Sequence, residues 1–276
     1  MKLYIISSKT QATTTKLLIE ACEKRNVEYE ILYPESTCPL DVTVNEGDAV
    51  YRVTTASHYG AAELELDLLL KGAKSFYKDY SAHFFKQVDA MVFENKGVPA
   101  PKTISYLPKD KNALLKCVEA VGGFPVCLKA LGGSHGVGVM RVDSEQSLFS
   151  VSDYLRKQGD KVVMKEYCNV TTSARLIVLG DEVIDSIEYS APKGDFRSNE
   201  GAVPNVSPKK YGPEIEEIAI KATKALDLEF GGVDIMITDN GAKVAEVNCP
   251  CFFPRCQMLT GTDIAGKIVE YLQNKD

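Results

Sequence analysis

The sequence predicts an α/β protein that opens with a parallel-sheet unit and continues as α+β. Strand and helix signals alternate through residues 1–80, the pattern of a small α/β unit with a parallel sheet. Later strands come in pairs joined by Gly-containing turns, which predicts antiparallel hairpins. Between these regions Val98-Pro99-Ala100-Pro101 forces an extended segment, because each proline fixes its own φ and restricts the residue before it. A chain of 276 residues has room for two or three packed units, and the expected division is 1–83, 84–166 and 167–276.

In the first unit, residues 3–7 form a short apolar strand. Residues 13–25 follow as a helix with Leu17, Leu18, Ala21 and Cys22 on one face. Residues 27–32 and 48–53 are the next strands, 61–70 a Leu-rich helix, and 73–77 close the unit. No Gly-x-Gly-x-x-Gly follows the first strand, so a dinucleotide site is not expected there. Residues 86–96 read as a helix stopped by Gly97. Residues 103–106, 125–131, 139–142 and 161–167 read as strands, and 112–121 as a helix. Asp143 with Gln146 three residues on predicts the capped start of a helix reaching Arg156. Residues 175–178 and 182–187 pair across Leu179-Gly180-Asp181, and the polar, aperiodic stretch 190–208 reads as a long functional loop. Pro213 opens a helix to Leu226. After a second hairpin comes an irregular Cys/Phe/Pro loop, then a final helix with Thr262 as its N-cap.

Composition narrows the function classes. With 45% hydrophobic and 25% charged residues the chain is an ordinary soluble globular one. Its net charge of −6 and pI of about 5.3 argue against a nucleic-acid partner, while leaving room for a local basic pocket. The apolar run at the start is too short for a secretion signal, and no later run approaches a membrane span. A cytoplasmic protein with no membrane partner is expected, with its eight cysteines reduced. Cys249, Cys251 and Cys256 lack a nearby fourth ligand, so a zinc site is not expected.

Residues 233–248 carry the densest chemical signal. The two strands meet at Asp239-Asn240-Gly241. A two-residue Asn-Gly turn would set Asp234 opposite Val247, with Glu246 and Asn248 on the other face. A three-residue loop sets Asp234 opposite Glu246, with Asn248 on the same face. Gly241 stands where three-residue loops take a left-handed residue, so the second register is expected. It gathers two carboxylates and an amide oxygen, hard ligands suited to Mg²⁺; the other reading is an amphipathic hairpin with solvated acids. Elsewhere, Gly132-Gly133-Ser134-His135-Gly136-Val137-Gly138 can wrap phosphate oxygens with backbone N–H groups or be a plain hairpin tip. Lys129, in an apolar strand, requires an anionic partner or points to water. Arg175, Arg197 and Lys86 pose the same choice between an anion and solvent.

In one order these stretches resemble an ATP-grasp carboxylate–amine ligase of the RimK type, the glutamate ligases that modify ribosomal protein. The resemblance runs from Lys86 with Gly97-Val98-Pro99, through the Lys129 strand, the glycine loop and Val163-Met164-Lys165-Glu166-Tyr167. It continues with Arg175, Gly180-Asp181-Glu182-Val183 and Gly194-Asp195-Phe196-Arg197-Ser198-Asn199. Gly232-Val233-Asp234-Ile235, Glu246-Val247-Asn248 and Thr260-Gly261-Thr262-Asp263-Ile264-Ala265-Gly266-Lys267 complete it. The resemblance implies an ATP-grasp fold: two α+β subdomains enclosing ATP behind the N-terminal parallel α/β unit. It implies ATP contacts at Lys86, Lys129, Gly133, Ser134, Gly136, Gly138, Lys165, Glu166, Tyr167, Ser173, Arg197, Ser198 and Asn199. Asp234, Glu246 and Asn248 would hold Mg²⁺ (or Mn²⁺), and Arg175 and Arg197 would act in catalysis. The partners implied are a carboxylate substrate (a peptide, a protein tail or a small molecule) and an amino-acid amine, in a possible homo-oligomer. Two rivals are an ATP-binding regulator without catalysis and an enzyme that stops at a phosphorylated product. The chain departs from the family at Ser173, near which an acidic residue is usual, and at residues 249–256, where a small-residue Pro-Gly loop is usual.

Overall fold

Two strands of the first layer, Lys2–Ile6 and Ala49–Arg52, are buried along almost their whole length, as expected of a parallel sheet covered on both faces. The computed structural model describes residues 1–55, 58–79, 89–130, 138–190 and 205–275. Strands β1 (Lys2–Ile6), β2 (Glu28–Leu32) and β3 (Ala49–Arg52) form a parallel sheet in the order β2-β1-β3. Helix α1 (Ala12–Lys24) buries Leu18, Ala21 and Cys22 against Leu3 and Ile5. Helix α2 (Ala61–Leu70) covers the other face, setting Leu64 and Leu68 on Tyr4 and Ile6. Within this unit the buried Arg52 donates from Nε to Glu65 at 2.7 Å and from Nη2 to the Tyr77 hydroxyl at 3.4 Å.

The second sheet is antiparallel. It follows α3 (Asp89–Lys96) and comprises β4 (Thr103–Ile104), β5 (Val126–Ala130), β6 (Val139–Val142) and β7 (Val162–Glu166), in the order β4-β7-β5-β6. Val126, Leu128, Val142 and Met164 pack under α4 (Lys111–Ala120) and α5 (Glu145–Gln158). The register puts Cys127 beside Lys165 and Lys129 beside Val163 on the opposite face. The cap of α5 is Ser144, in a capping box with Ser147, rather than Asp143. Asp143 is drawn off by Arg141, whose Nε donates to it at 2.8 Å.

The third sheet has the order β10-β9-β8-β11-β12, all antiparallel. Its strands are β8 (Val170–Leu179), β9 (Glu182–Ser190), β10 (Asn205–Pro208), β11 (Phe230–Thr238) and β12 (Gly241–Asn248). One face carries Ala174, Leu176, Val233, Ile235 and Val247 and packs on α6 (Pro213–Ala225) and on Phe93 of α3. At one end of the other face Ile177, Leu179 and Phe230 join α8 (Ile264–Asn274) and the N-terminal sheet in a shared core. Edge-on contacts of Tyr51 with Phe76 and Phe230, at 5.7 and 5.9 Å, lie in that seam. The remainder of this face carries Arg175, Asp234, Glu246, Ser173 and Lys243 beside Ile187, Tyr189 and Met236. Among the described residues no helix is long and apolar enough to cross a membrane.

Several expectations are corrected. Residues 205–208, expected in a loop, form edge strand β10 because they pair with β9. The Cys/Phe/Pro loop contains a short helix, α7 (Pro254–Thr260), opened by its proline. The N-cap of α8 is Asp263, whose carboxylate accepts the Gly266 N–H at 2.9 Å, rather than Thr262. In the β11–β12 hairpin, Thr238 lies opposite Gly241, so the loop is Asp239-Asn240 and neither expected turn is present. The Thr238 hydroxyl fixes it, accepting the Asn240 N–H at 3.1 Å and donating to the Gly241 carbonyl at 2.7 Å. A register shift between Asp234 and Ile235 then leaves Ala245 unopposed and brings Asp234 opposite Glu246. The expected juxtaposition therefore holds, with a bulge supplying the residue assigned to the turn.

Gly232 shows how tightly this region is packed, since a Cβ there would collide with the Cys251 sulfur. Gly232→Ala is predicted to cost about 1–3 kcal/mol of stability in urea unfolding. Adding Cys251→Ala should recover most of that loss.

Candidate active site

One row of residues crosses the polar face of the third sheet: Ile187 on β9, Arg175 on β8, Asp234 on β11 and Glu246 on β12. Arg175 grips Asp234 with two parallel bonds, Nε to Oδ1 at 2.8 Å and Nη2 to Oδ2 at 2.6 Å. Asn248, two residues beyond Glu246, turns its side-chain nitrogen to Asp234 Oδ2 and Glu246 Oε1, each at 3.2 Å. From the second sheet Lys129 brings its Nζ to within 3.4 Å of Glu246 Oε2. Asp234, Glu246, Asn248, Arg175 and Lys129 are thus brought together.

Opposite charges meet in the row. Asp234 is 7% exposed. Burial pushes its carboxyl up, Arg175 pulls it back, and Glu246 pushes it up again, so it stands above the usual carboxylate range. Burial alone would weaken the charge on Arg175, but the bonds to Asp234 outweigh it and hold the guanidinium firmly protonated. Arg175 holds Asp234 and Lys129 holds Glu246, so the carboxylate oxygens of the row are set side by side between cations from two sheets. Among the described residues no three His, Cys, Asp or Glu side chains form a metal cluster. A cation here would take two carboxylates and an amide oxygen, a hard-oxygen set that fits Mg²⁺.

A second row lies one step away: Tyr189, Ser173, Met236 and Lys243 on β9, β8, β11 and β12. Lys243 reaches across the cleft to Glu166 at 2.5 Å, and Glu166 also accepts the Lys102 backbone N–H at 3.1 Å. Burial would raise the Glu166 carboxyl, but those donors outweigh it and lower it. Lys165 is lowered, first by burial and then by the neighbouring Lys129 cation, and an anion placed between them would oppose that lowering. Arg141 stacks over the Tyr167 ring at 4.6 Å. Among the described residues the buried Ser173 hydroxyl has no hydrogen-bond partner. Gly138 holds a positive φ of +86° and its carbonyl accepts the Ala130 N–H, closing the base of the glycine loop. Lys86, Gly133, Ser134, Gly136, Arg197, Ser198 and Asn199 lie outside the described residues.

Lys243, Met236 and Arg141 escape a reading of the sequence. Strict alternation places Lys243 on the face opposite Glu246, and only the bulge at Ala245 brings them to one side.

The arrangement is two facing sheets, one carrying lysines and the other a carboxylate row, and it matches a known family. The model of the RimK-like ATP-grasp domain fits residues 86–272. The chain belongs to the RimK-like ATP-grasp family. A probable alpha-L-glutamate ligase of Citrobacter koseri is 29% identical over 295 residues, covering 99% of this chain and 96% of that one. A ribosomal protein bS6–L-glutamate ligase of Escherichia coli is also 29% identical, over 297 residues and the same shares. Among solved structures, the ATP-grasp ligase PsnB with a phosphomimetic variant of its minimal precursor, Mg and ADP superposes with a TM-score of 0.74 at 18% identity. It covers 99% of this chain and 98% of PsnB. The D-alanine–D-alanine ligase of Bacillus anthracis gives 0.72 at 16% identity, over 99% of this chain and 96% of its own. The ATP-grasp fold expected from the sequence is the fold present.

The pair Arg175–Asp234 and the pair Lys129–Glu246 should respond differently to truncation. Arg175→Met leaves a buried carboxylate uncompensated and is predicted to cost about 3–5 kcal/mol in urea unfolding. Lys129→Met breaks a pair whose side chains are 32% and 43% exposed, and should cost about 0–1 kcal/mol.

Proposed function

We propose that this protein is an ATP-dependent carboxylate–amine ligase that joins an amino acid to a carboxylate of a peptide, a protein tail or a small molecule. The observation that carries the reading is the convergence of Asp234, Glu246 and Asn248 opposite two lysines of a facing sheet. The N-terminal unit 1–83 would support two ATP-grasp subdomains, 84–166 and 167–276, that close on the nucleotide. All eight cysteines are free thiols, which suits a cytoplasmic setting.

In this reading Lys129 and Lys165 neutralise the phosphates of ATP, and the backbone around Glu166 and Tyr167 borders the base. Met236 offers a polarisable apolar surface, and Ser173 an unpartnered hydroxyl, along the same row. Lys86, Gly133, Ser134, Gly136, Gly138, Arg197, Ser198 and Asn199 complete the nucleotide contacts. Asp234, Glu246 and Asn248 would hold Mg²⁺, which when bound lessens the negative charge of the phosphates; Mn²⁺ would serve in its place. The Asn248 amide, turned over, presents its oxygen for this purpose.

The γ-phosphoryl group passes from ATP to the substrate carboxylate, leaving ADP and an acyl phosphate. The amine nitrogen then bonds to the acyl carbon, the carbon–oxygen bond to phosphate breaks, and the nitrogen gives up its proton. Arg175 binds Asp234 through Nε and Nη2 only, so Nη1 remains to donate to the oxyanion of the tetrahedral intermediate. Arg197 would do the same from its loop. Removing one such donor typically costs about 3–4 kcal/mol of transition-state stabilisation. The glycine loop, closing, would keep water from the acyl phosphate.

The purified chain with ATP, Mg²⁺ and mixed carboxylates and amino acids is predicted to release ADP and phosphate only when both substrates are present. The product mass should be the sum of the substrates less water. Glu246→Gln is isosteric and partly exposed, so it should fold normally and lose at least about a hundredfold in turnover. Release of ADP without any amine would favour the phosphorylating rival, and nucleotide binding without release would favour the regulator.

A further inference from the structure

Asn248 is the last residue of β12, and its pairing with Gly232 is where the ladder with β11 stops. A side chain at a strand end is held only as firmly as the chain that leaves it. Within three residues that chain is anchored twice, and both anchors come from the N-terminal unit. Cys249 turns into the core behind the third sheet, where Tyr77 packs. Cys251 turns into the shared core, with its sulfur against Gly232, and its carbonyl accepts the Tyr51 hydroxyl at 3.4 Å. Tyr77 is itself fixed by a buried ion pair. Arg52 and Glu65, with side chains 5% and 2% exposed, meet at 2.7 Å. Arg52 also donates to the Thr54 carbonyl at 2.7 Å and to the Tyr77 oxygen at 3.4 Å. An arginine only donates, so the Tyr77 oxygen accepts in that bond and directs its own proton to the Cys249 sulfur.

We propose that Tyr77 is a positioning residue for the cation site: through Cys249 it fixes the end of β12, and so fixes where the Asn248 amide stands beside Asp234 and Glu246. The inference rests on the reading of Asp234, Glu246 and Asn248 as one divalent-cation site. A ligand set works only when its supports hold it within about 0.5 Å of the productive geometry. The Tyr77 hydroxyl supplies such a support from outside the sheet that carries the ligands. Packing alone does not call for it, since a phenylalanine ring would fill the same space against Cys249 without burying a hydroxyl beside an ion pair. The contact also falls within residues 249–256, the stretch in which the chain departs from its family, so it is a feature of this chain.

The test is Mn²⁺ binding to the full chain with ADP present, read by electron paramagnetic resonance. Tyr77→Phe and Cys249→Val should each bind Mn²⁺ about tenfold more weakly than the natural chain. The double variant should be no weaker than either alone, because both changes remove one contact. Cys249→Ser still accepts the hydroxyl and should keep most of the affinity. ADP affinity without metal should be the same in every chain, which a general loosening of the fold would not leave so. Unchanged Mn²⁺ affinity in Tyr77→Phe, losses that add in the double variant, or an equal loss of metal-free ADP affinity would each overturn the proposal. Should Tyr77→Phe fail to fold, equal Mn²⁺ affinities in Cys249→Ser and Cys249→Val would overturn it. A natural chain that binds no Mn²⁺ would instead overturn the cation-site reading, and the two failures are thereby distinguished.

Discussion

A carboxylate buried in the middle of a β-sheet is costly unless its charge is answered, and Asp234 is such a group. Arg175 answers it with two short bonds from the adjacent strand. Glu246 and Asn248, from the strand on the other side, bring further oxygen atoms and an amide to the same place. Arg175 offsets part of the rise that burial imposes on the Asp234 carboxyl, while Glu246, itself paired with Lys129, pushes it up again. Two carboxylates and an amide gathered in one row are a set of hard oxygen atoms that a divalent cation could use. The same bonds hold the ligands in place beforehand, so little ordering remains when a cation arrives.

The rest of the molecule positions this row. Helix α6 and the apolar face of the third sheet form a core directly behind it, which prevents the strands from sliding. The N-terminal sheet and α8 pack at the end of the polar face, through Tyr51, Phe76 and Phe230, and close it on that side. The second sheet turns its lysine-bearing face to the row and is tied to it by two ion pairs, Lys129–Glu246 and Lys243–Glu166. Such partly exposed pairs contribute little stability, so they can part and reform as a ligand enters between the sheets. The Lys165 charge, weakened by burial and by Lys129, favours an anion at that point in the cleft.

Most of the architecture was legible in the sequence because it depends on local periodicity. The parallel unit, the helix over residues 61–70, and the helix opened by Pro213 all follow from apolar spacing and capping chemistry. The carboxylate row was legible as a set of residues, yet the expected turn was wrong. Thr238 competes for the turn through its hydroxyl, and a bulge at Ala245 corrects the register downstream. No pattern of apolar residues announces a bulge, so Lys243 was assigned to neither the row nor the cleft. The cap at Ser144 was missed for a related reason: Asp143 is an equally good cap by type, and only its pairing with Arg141 removes it. Edge strand β10 was hidden because polar residues pair through backbone groups that carry no sequence signal. The proposed nucleotide-binding roles rest on the ordered set of motifs, since each lysine or glycine alone is as well explained by solvent.

The central claim is that Asp234, Glu246 and Asn248 form one divalent-cation site in the presence of nucleotide. Its most direct measurement is Mn²⁺ binding followed by electron paramagnetic resonance with ADP present, comparing the natural chain with a Glu246→Gln/Asn248→Ala variant. The account predicts bound Mn²⁺ in the natural chain and an affinity at least about tenfold lower in the variant. Equal Mn²⁺ affinity in the two, with both chains folded, would contradict it.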